Sequence, residues 1–147
     1  MIEDEVLYSF SVPLFVILPR KTKEDRKVTL SFNQYHNWCT HVRNDIKQKY
    51  QESIERTLMD SGLVPLSKIR KIKYTLYLAQ NKTKQDTRNS TNLIDKYLCD
   101  ALVKYGYLKD DNWQTILSTE DTCGGVDRKN PRIEVQIYGY PRNQSED

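Results

Sequence analysis

The chain has 147 residues, 37% of them hydrophobic, and 23 Lys and Arg against 20 Asp and Glu give a formal net charge of +3. That length suits a single domain with a real core, and the mild basicity permits a polyanionic partner without demanding one. Three widely spaced cysteines without a Cys-x-x-Cys step argue against a zinc site or disulfide scaffold, and no apolar run is long enough to span a membrane, so a reduced, cytoplasmic setting is expected.

The N-terminal MIEDEVLYSF is acidic, unlike a targeting leader. From Ser9 to Pro19 the sequence is apolar and β-branched, bracketed by Pro13 and Pro19, and predicts a strand beginning near Leu14. The charged run from Arg20 to Lys27 follows as a hairpin-like loop. Its Lys21 and Lys23, with Arg20, Arg26 and Lys27, are candidate phosphate contacts, although Glu24 and Asp25 dilute the charge and a solvated connector is an equal reading. Val28, Leu30 and Phe32 alternate with Thr29 and Ser31, which predicts a second short strand.

Val42, Ile46, Tyr50, Ile54 and Leu58 recur every fourth residue and mark a long helix from about Trp38 to Met59, stopped by Gly62. His36 and His41 have no partnering Ser or Cys constellation and read as surface or helix-end residues. Past Pro65, Ile72, Tyr74, Leu76 and Leu78 alternate with Lys71, Lys73, Thr75 and Tyr77, predicting a strand from Arg70 to Ala79 that leads into a polar loop. In that loop Lys82, Lys84 and Arg88 flank Asp86, a cluster suited to a polyanion.

The next helix organises the rest. Ser90, Thr91 or Asn92 can cap it, Ile94, Tyr97, Leu98, Ala101, Leu102 and Tyr105 form its apolar stripe, and Gly106 is its stop. Asn92, Asp95, Lys96, Cys99 and Asp100 share the opposite face. Asp86 before the helix, Asp95 on its first turn and Asp110 or Asp111 after it are candidate ligands for a hard divalent cation, which takes a few carboxylates and leaves water and phosphate to complete its shell. Lys96 is placed to neutralise a phosphate. Solvated helix-start and turn carboxylates are the alternative reading of the spacing. Thr115 to Thr122 and Arg132 to Tyr138, where Ile133, Val135 and Ile137 alternate with polar residues, predict a closing hairpin.

The expected architecture is α+β, a small mixed or antiparallel sheet with two main helices in the order β-β-α-β-α-β-β. Residues 1–140 form one domain and residues 141–147 a tail.

The run Lys96-Tyr97-Leu98-Cys99-Asp100-Ala101-Leu102, then Gly106 and then Asp110-Asp111, resembles the RusA family of Holliday-junction resolvases. The similarity covers roughly the middle fifth of the chain, and Asn33 to Trp38 adds a weaker likeness. The resemblance implies a metal-dependent endonuclease acting on branched DNA as a homodimer, with Mg²⁺ or else Mn²⁺ as cofactor, of bacterial or phage origin. Asp111 then corresponds to the second acid of the family's Asp-Asp pair and Lys96 to its helix lysine. The family's loop reads Asp-x-Asp-Asn, and a gapless register sets Ser90 and Asn92 at those two acids. A shifted register recruits Asp86 and Asp95 instead, with Asn89 or Asn92 as the loop amide, and is preferred because it keeps three carboxylates. The implied roles are metal binding for Asp86, Asp95 and Asp111, assistance from Asp110, charge stabilisation by Lys96, and positioning by Asn89, Ser90 and Asn92. A non-catalytic nucleic-acid binder on the same scaffold is the main alternative, and a protein-interaction domain a third.

Overall fold

A computed structural model describes residues 5–81 and 83–142. The order is β1 (Val6–Val12), β2 (Phe15–Leu18), β3 (Arg26–Thr29), α1 (Phe32–Tyr35), α2 (Thr40–Asp60), β4 (Leu66–Leu78), α3 (Lys84–Lys104), β5 (Thr119–Val126) and β6 (Arg132–Pro141). Lys82, one of the basic loop residues, and the tail from 143 onward lie outside the described residues.

β4 and β6 make the centre of the sheet. Their period-two alternation puts Ile72, Tyr74, Leu76 and Leu78, and Ile133, Val135 and Ile137, on a buried face, as a half-covered sheet requires. The four strands run β1-β6-β4-β5, with β6 antiparallel to both its neighbours and β4 parallel to β5. The hairpin expected between residues 115–122 and 132–138 therefore does not form. α3 carries the chain from one end of β4 back to the start of β5, and such a crossover delivers a parallel partner on the far side of β4 from β6. The Ser9 to Pro19 segment also divides: Pro13 lies between β1, which joins the sheet, and β2, which pairs only with β3 in a separate two-stranded hairpin.

α2 buries Ile46, Tyr50, Ile54 and Leu58 as its four-residue spacing predicts, and the Tyr50 hydroxyl donates to the Pro13 carbonyl at 2.8 Å. α3 buries Leu93, Ile94, Tyr97, Leu98, Ala101 and Leu102, a wider surface than one stripe, because it packs against both α2 and the sheet. The buried Gln51 amide of α2 donates to the Tyr97 carbonyl at 3.2 Å, and Lys47 meets Asp100 at 2.8 Å. Gly62 and Gly106, at φ of +81° and +85°, follow the C-caps of α2 and α3 in the left-handed region that ends helices. Among the described residues no helix is long and apolar enough to cross a membrane.

Candidate active site around Asp95 and Asp111

The polar stretch before the apolar stripe is helical, not a loop. Thr83 is the N-cap: its Oγ1 accepts the Asp86 N–H at 3.1 Å and donates to Asp86 Oδ2 at 2.9 Å. Further along, the Thr87 and Thr91 hydroxyls donate to the carbonyls four residues back, so these buried polar groups are satisfied inside the helix. Capping at Ser90 to Asn92 is thus corrected: α3 begins at Lys84.

That correction decides which acids meet. Asp86 and Asp95 stand nine positions apart on one helix, about 13.5 Å of rise and two and a half turns, so they leave α3 on opposite faces. Asp86 belongs to a cleft of about 620 Å³ with Ser90, Thr29, Ser31, Asn33 and Gln80. A smaller adjoining cavity adds Lys27 and Phe15 of the β2–β3 hairpin to its wall. The three-carboxylate set of Asp86, Asp95 and Asp111 is therefore not gathered. Among the described residues no three His, Cys, Asp or Glu side chains come together as a metal cage.

Asp95 lies within range of the Asp111 charge. Asp95 is half-buried where α3 crosses β4, and its Oδ1 accepts the Tyr74 hydroxyl at 2.5 Å and the Cys99 thiol at 3.5 Å. Burial pushes the Asp95 carboxyl above its ordinary range; the two hydrogen bonds pull it back and the Asp111 charge raises it further. Burial also pushes up the Tyr74 hydroxyl and the Cys99 thiol, and Asp95 adds to both. Cys99 additionally feels Asp111 and Asp100, so the charge of three carboxylates bears on this turn of the helix.

Asp111 is exposed in the connection from α3 to β5. The backbone there is fixed: Asn112 Oδ1 accepts the N–H groups of Gln114 and Thr115 at 2.9 and 3.2 Å, and the Thr115 hydroxyl donates to the Asp110 carbonyl at 2.7 Å. The Ile69 N–H then donates to the Thr115 carbonyl at 2.6 Å, tying the turn to β4. Asp110 is exposed beside it.

The remaining candidates spread around this pair. Lys96 is exposed, with its Nζ 6.0 Å from the Tyr35 ring centroid. Arg88 and Asn92, both exposed, precede Asp95 on the same helical face by the 3.6-residue period, whereas Ser90 turns toward the Asp86 cleft and Asn89 is half-buried. Lys84 opens α3. Lys21 and Lys23 are exposed in the connection between β2 and β3, where Arg20 Nε donates to the Glu24 carbonyl at 2.8 Å.

Sequence reasoning missed Tyr74 and Cys99. Tyr74 counted there only as an inward-facing strand residue. A buried phenol needs a hydrogen-bond partner, and that need was the signal that could have found it.

The family described as endodeoxyribonuclease RusA matches residues 18–138, which take in β3 through most of β6. No curated protein matches the chain.

Proposed function

The chain belongs to the endodeoxyribonuclease RusA family, and from that premise we propose that it is a Mg²⁺-dependent, structure-selective nuclease that resolves four-way DNA junctions by paired phosphodiester hydrolysis. The observation that carries this reading is a half-buried Asp95, held by the hydroxyl of a buried tyrosine and within range of the Asp111 charge from a different segment. A half-buried carboxylate whose ionisation is opposed by a neighbouring carboxylate is an arrangement that a divalent cation relieves, and Mg²⁺ is commonly held by one or two carboxylates with water and substrate phosphate. The donor set therefore fits a hard cation.

In this reading Asp95 and Asp111 hold the ion. When bound, Mg²⁺ supplies Lewis-acid polarisation of the phosphate and lowers the pKa of water. Tyr74 fixes the Asp95 carboxylate by its hydrogen bond, so the ligand needs no reorganisation on substrate arrival. Lys96 offsets charge that develops on the phosphate, and Asp110 orients its neighbour. Arg88 on the face of Asp95, together with Lys21, Lys23, Lys82 and Lys84, contacts backbone phosphates. Asn89, Ser90 and Asn92 shape the helix surface between them. Two copies acting as a homodimer would supply the paired cuts.

A second reading has its own observation. The gapless register leaves Ser90 and Asn92 at two acid positions of the family, and the described residues assemble no three-acid group, which favours a binder without cleavage. Cutting of a synthetic four-way junction against a matched duplex, with Mg²⁺ and with chelator, tests both. Symmetric nicks lost with chelator support the nuclease, and tight junction binding with no cut under any divalent cation overturns it.

A further inference from the structure

We propose that Trp113 is a binding platform on which a nucleobase unstacked from the branch point of the substrate stacks, next to the phosphate addressed by Asp111. This rests on the branched-DNA reading above and adds to it a second kind of contact, with a base and not the backbone.

The two tryptophans of the chain are treated oppositely by the fold. Trp38 is 7% exposed and packs in the core, edge-on to Tyr35. Trp113 is 78% exposed, although an indole has the largest apolar surface of any side chain to hide. Disorder of the turn does not account for this, because the same Asn112 and Thr115 bonds that hold Asp111 hold residue 113 between them, and the Ile69 N–H anchors the turn to β4. A rigid backbone thus presents the ring to solvent two residues from the candidate catalytic acid.

The surroundings select the partner. Asp110, Asp111, Asn112 and Gln114 are all exposed and polar, so the ring stands by itself in sequence and not within an apolar run. A protein partner would be expected to meet a contiguous apolar centre. A base needs only one flat aromatic face and tolerates a polar rim. Stacking on an aromatic side chain accepts any base, and the centre of a four-way junction is where paired bases are most readily unstacked.

The unequal burial of the two tryptophans makes the test direct. Intrinsic fluorescence is followed in chelator while a four-way junction or a linear duplex of the same sequence is added, and binding is measured in parallel by anisotropy of labelled DNA. Wild type should show emission quenched by the junction and much less by the duplex. Trp113→Phe, in which only the buried Trp38 emits, should bind the junction with little change in emission. Trp113→Ala should weaken junction binding about tenfold or more, as expected for removal of a stacked base, with Trp113→Phe recovering most of it. If wild type binds the junction but its emission is unchanged and Trp113→Ala binds equally well, the platform is wrong while the junction reading stands. If wild type shows no preference for the junction over duplex in anisotropy, the junction reading falls and the platform with it. If Trp113→Ala turns a dimer into a monomer in sedimentation, Trp113 is a protein contact and the platform is overturned.

Discussion

The Tyr74 hydroxyl donates to Asp95 Oδ1 at 2.5 Å across the packing of β4 against α3, joining the central sheet to an acid of α3 that feels the Asp111 charge. Tyr74→Phe removes that donor without changing the ring. The hydrogen bond lowers the Asp95 pKa, so its loss raises that pKa again, and the acid limb of the cleavage rate should move to higher pH. A buried acceptor left without its partner costs about 1–3 kcal/mol. A pH–rate profile together with urea unfolding would read both effects, and an unshifted acid limb would remove Tyr74 from the site.

Asp95 and Asp86 are separated by their helical faces, and their substitutions should separate as well. Under the proposed metal site, Asp95→Asn and Asp111→Asn should each lower the cleavage rate about 100-fold or more, while junction binding stays near wild type. Asp86→Asn should keep most of the turnover. Single-turnover cleavage with gel-shift controls decides it; if Asp86→Asn fell as far as Asp95→Asn, the opposite-face assignment would be wrong.

Asp95 also bears on stability. Its folded pKa lies above the unfolded value, so the native state holds the extra proton between the two. Folding stability therefore falls as pH rises through that window, and the cost is fully present above the folded pKa. In chelator, Asp95→Asn should raise Tm by a few degrees at neutral pH and lose this advantage below the ordinary carboxylate range. Melting curves across pH would check it. An Asp95→Asn protein less stable than wild type at pH 7 would show that the carboxylate makes a compensating contact in the apo protein.

Gly124 of β5 faces Tyr77. A Cβ there would lie 2.7 Å from both Cε1 and Cζ of the Tyr77 ring and 2.9 Å from Thr75 Cγ2, and the Arg132 guanidinium lies 4.2 Å from the same ring. Gly124→Ala should cost about 1 kcal/mol, toward the low end of overpacking costs because the strand face is exposed and the Tyr77 ring can shift. Thermal unfolding of the variant gives the value, and Gly124→Ala, Tyr77→Ala should recover part of it.

Charge reversal of Lys21 and Lys23 should weaken junction and duplex binding by similar factors. It should lower the slope of log K against log salt by about one for each phosphate that the loop no longer neutralises. A weakening confined to the junction would mean that this loop reads structure and not charge.

The helices with four-residue spacing and the alternating strands could be read because their burial has one period: Ile46 to Leu58 and Ile133 to Ile137 lie where the pattern puts them. The start of α3 could not be taken from hydrophobicity, since residues 84–92 are polar throughout; Thr83-x-x-Asp86 was the relevant signal, three residues apart in a lysine-rich stretch. β5 has exposed residues at nearly every position and so no alternation to assign it a face or a partner. Its neighbour is set by the α3 crossover. The acids of the candidate site were visible individually, but which of them converge depends on helix phase and on Tyr74, 21 residues away.

β6 is the last described element and an interior strand of the sheet, holding β1 on one side and β4 on the other. During synthesis β4 and α3 leave the ribosome before the strand that fixes the position of β4. Tyr74 then has no settled sheet from which to hold Asp95, and a nascent chain or one cut before residue 132 should be unable to form the site. Under the proposed nuclease reading, the site is thus completed by a strand distant in sequence from its acids, and a cleavage assay on chains stopped before residue 132 should find no cutting.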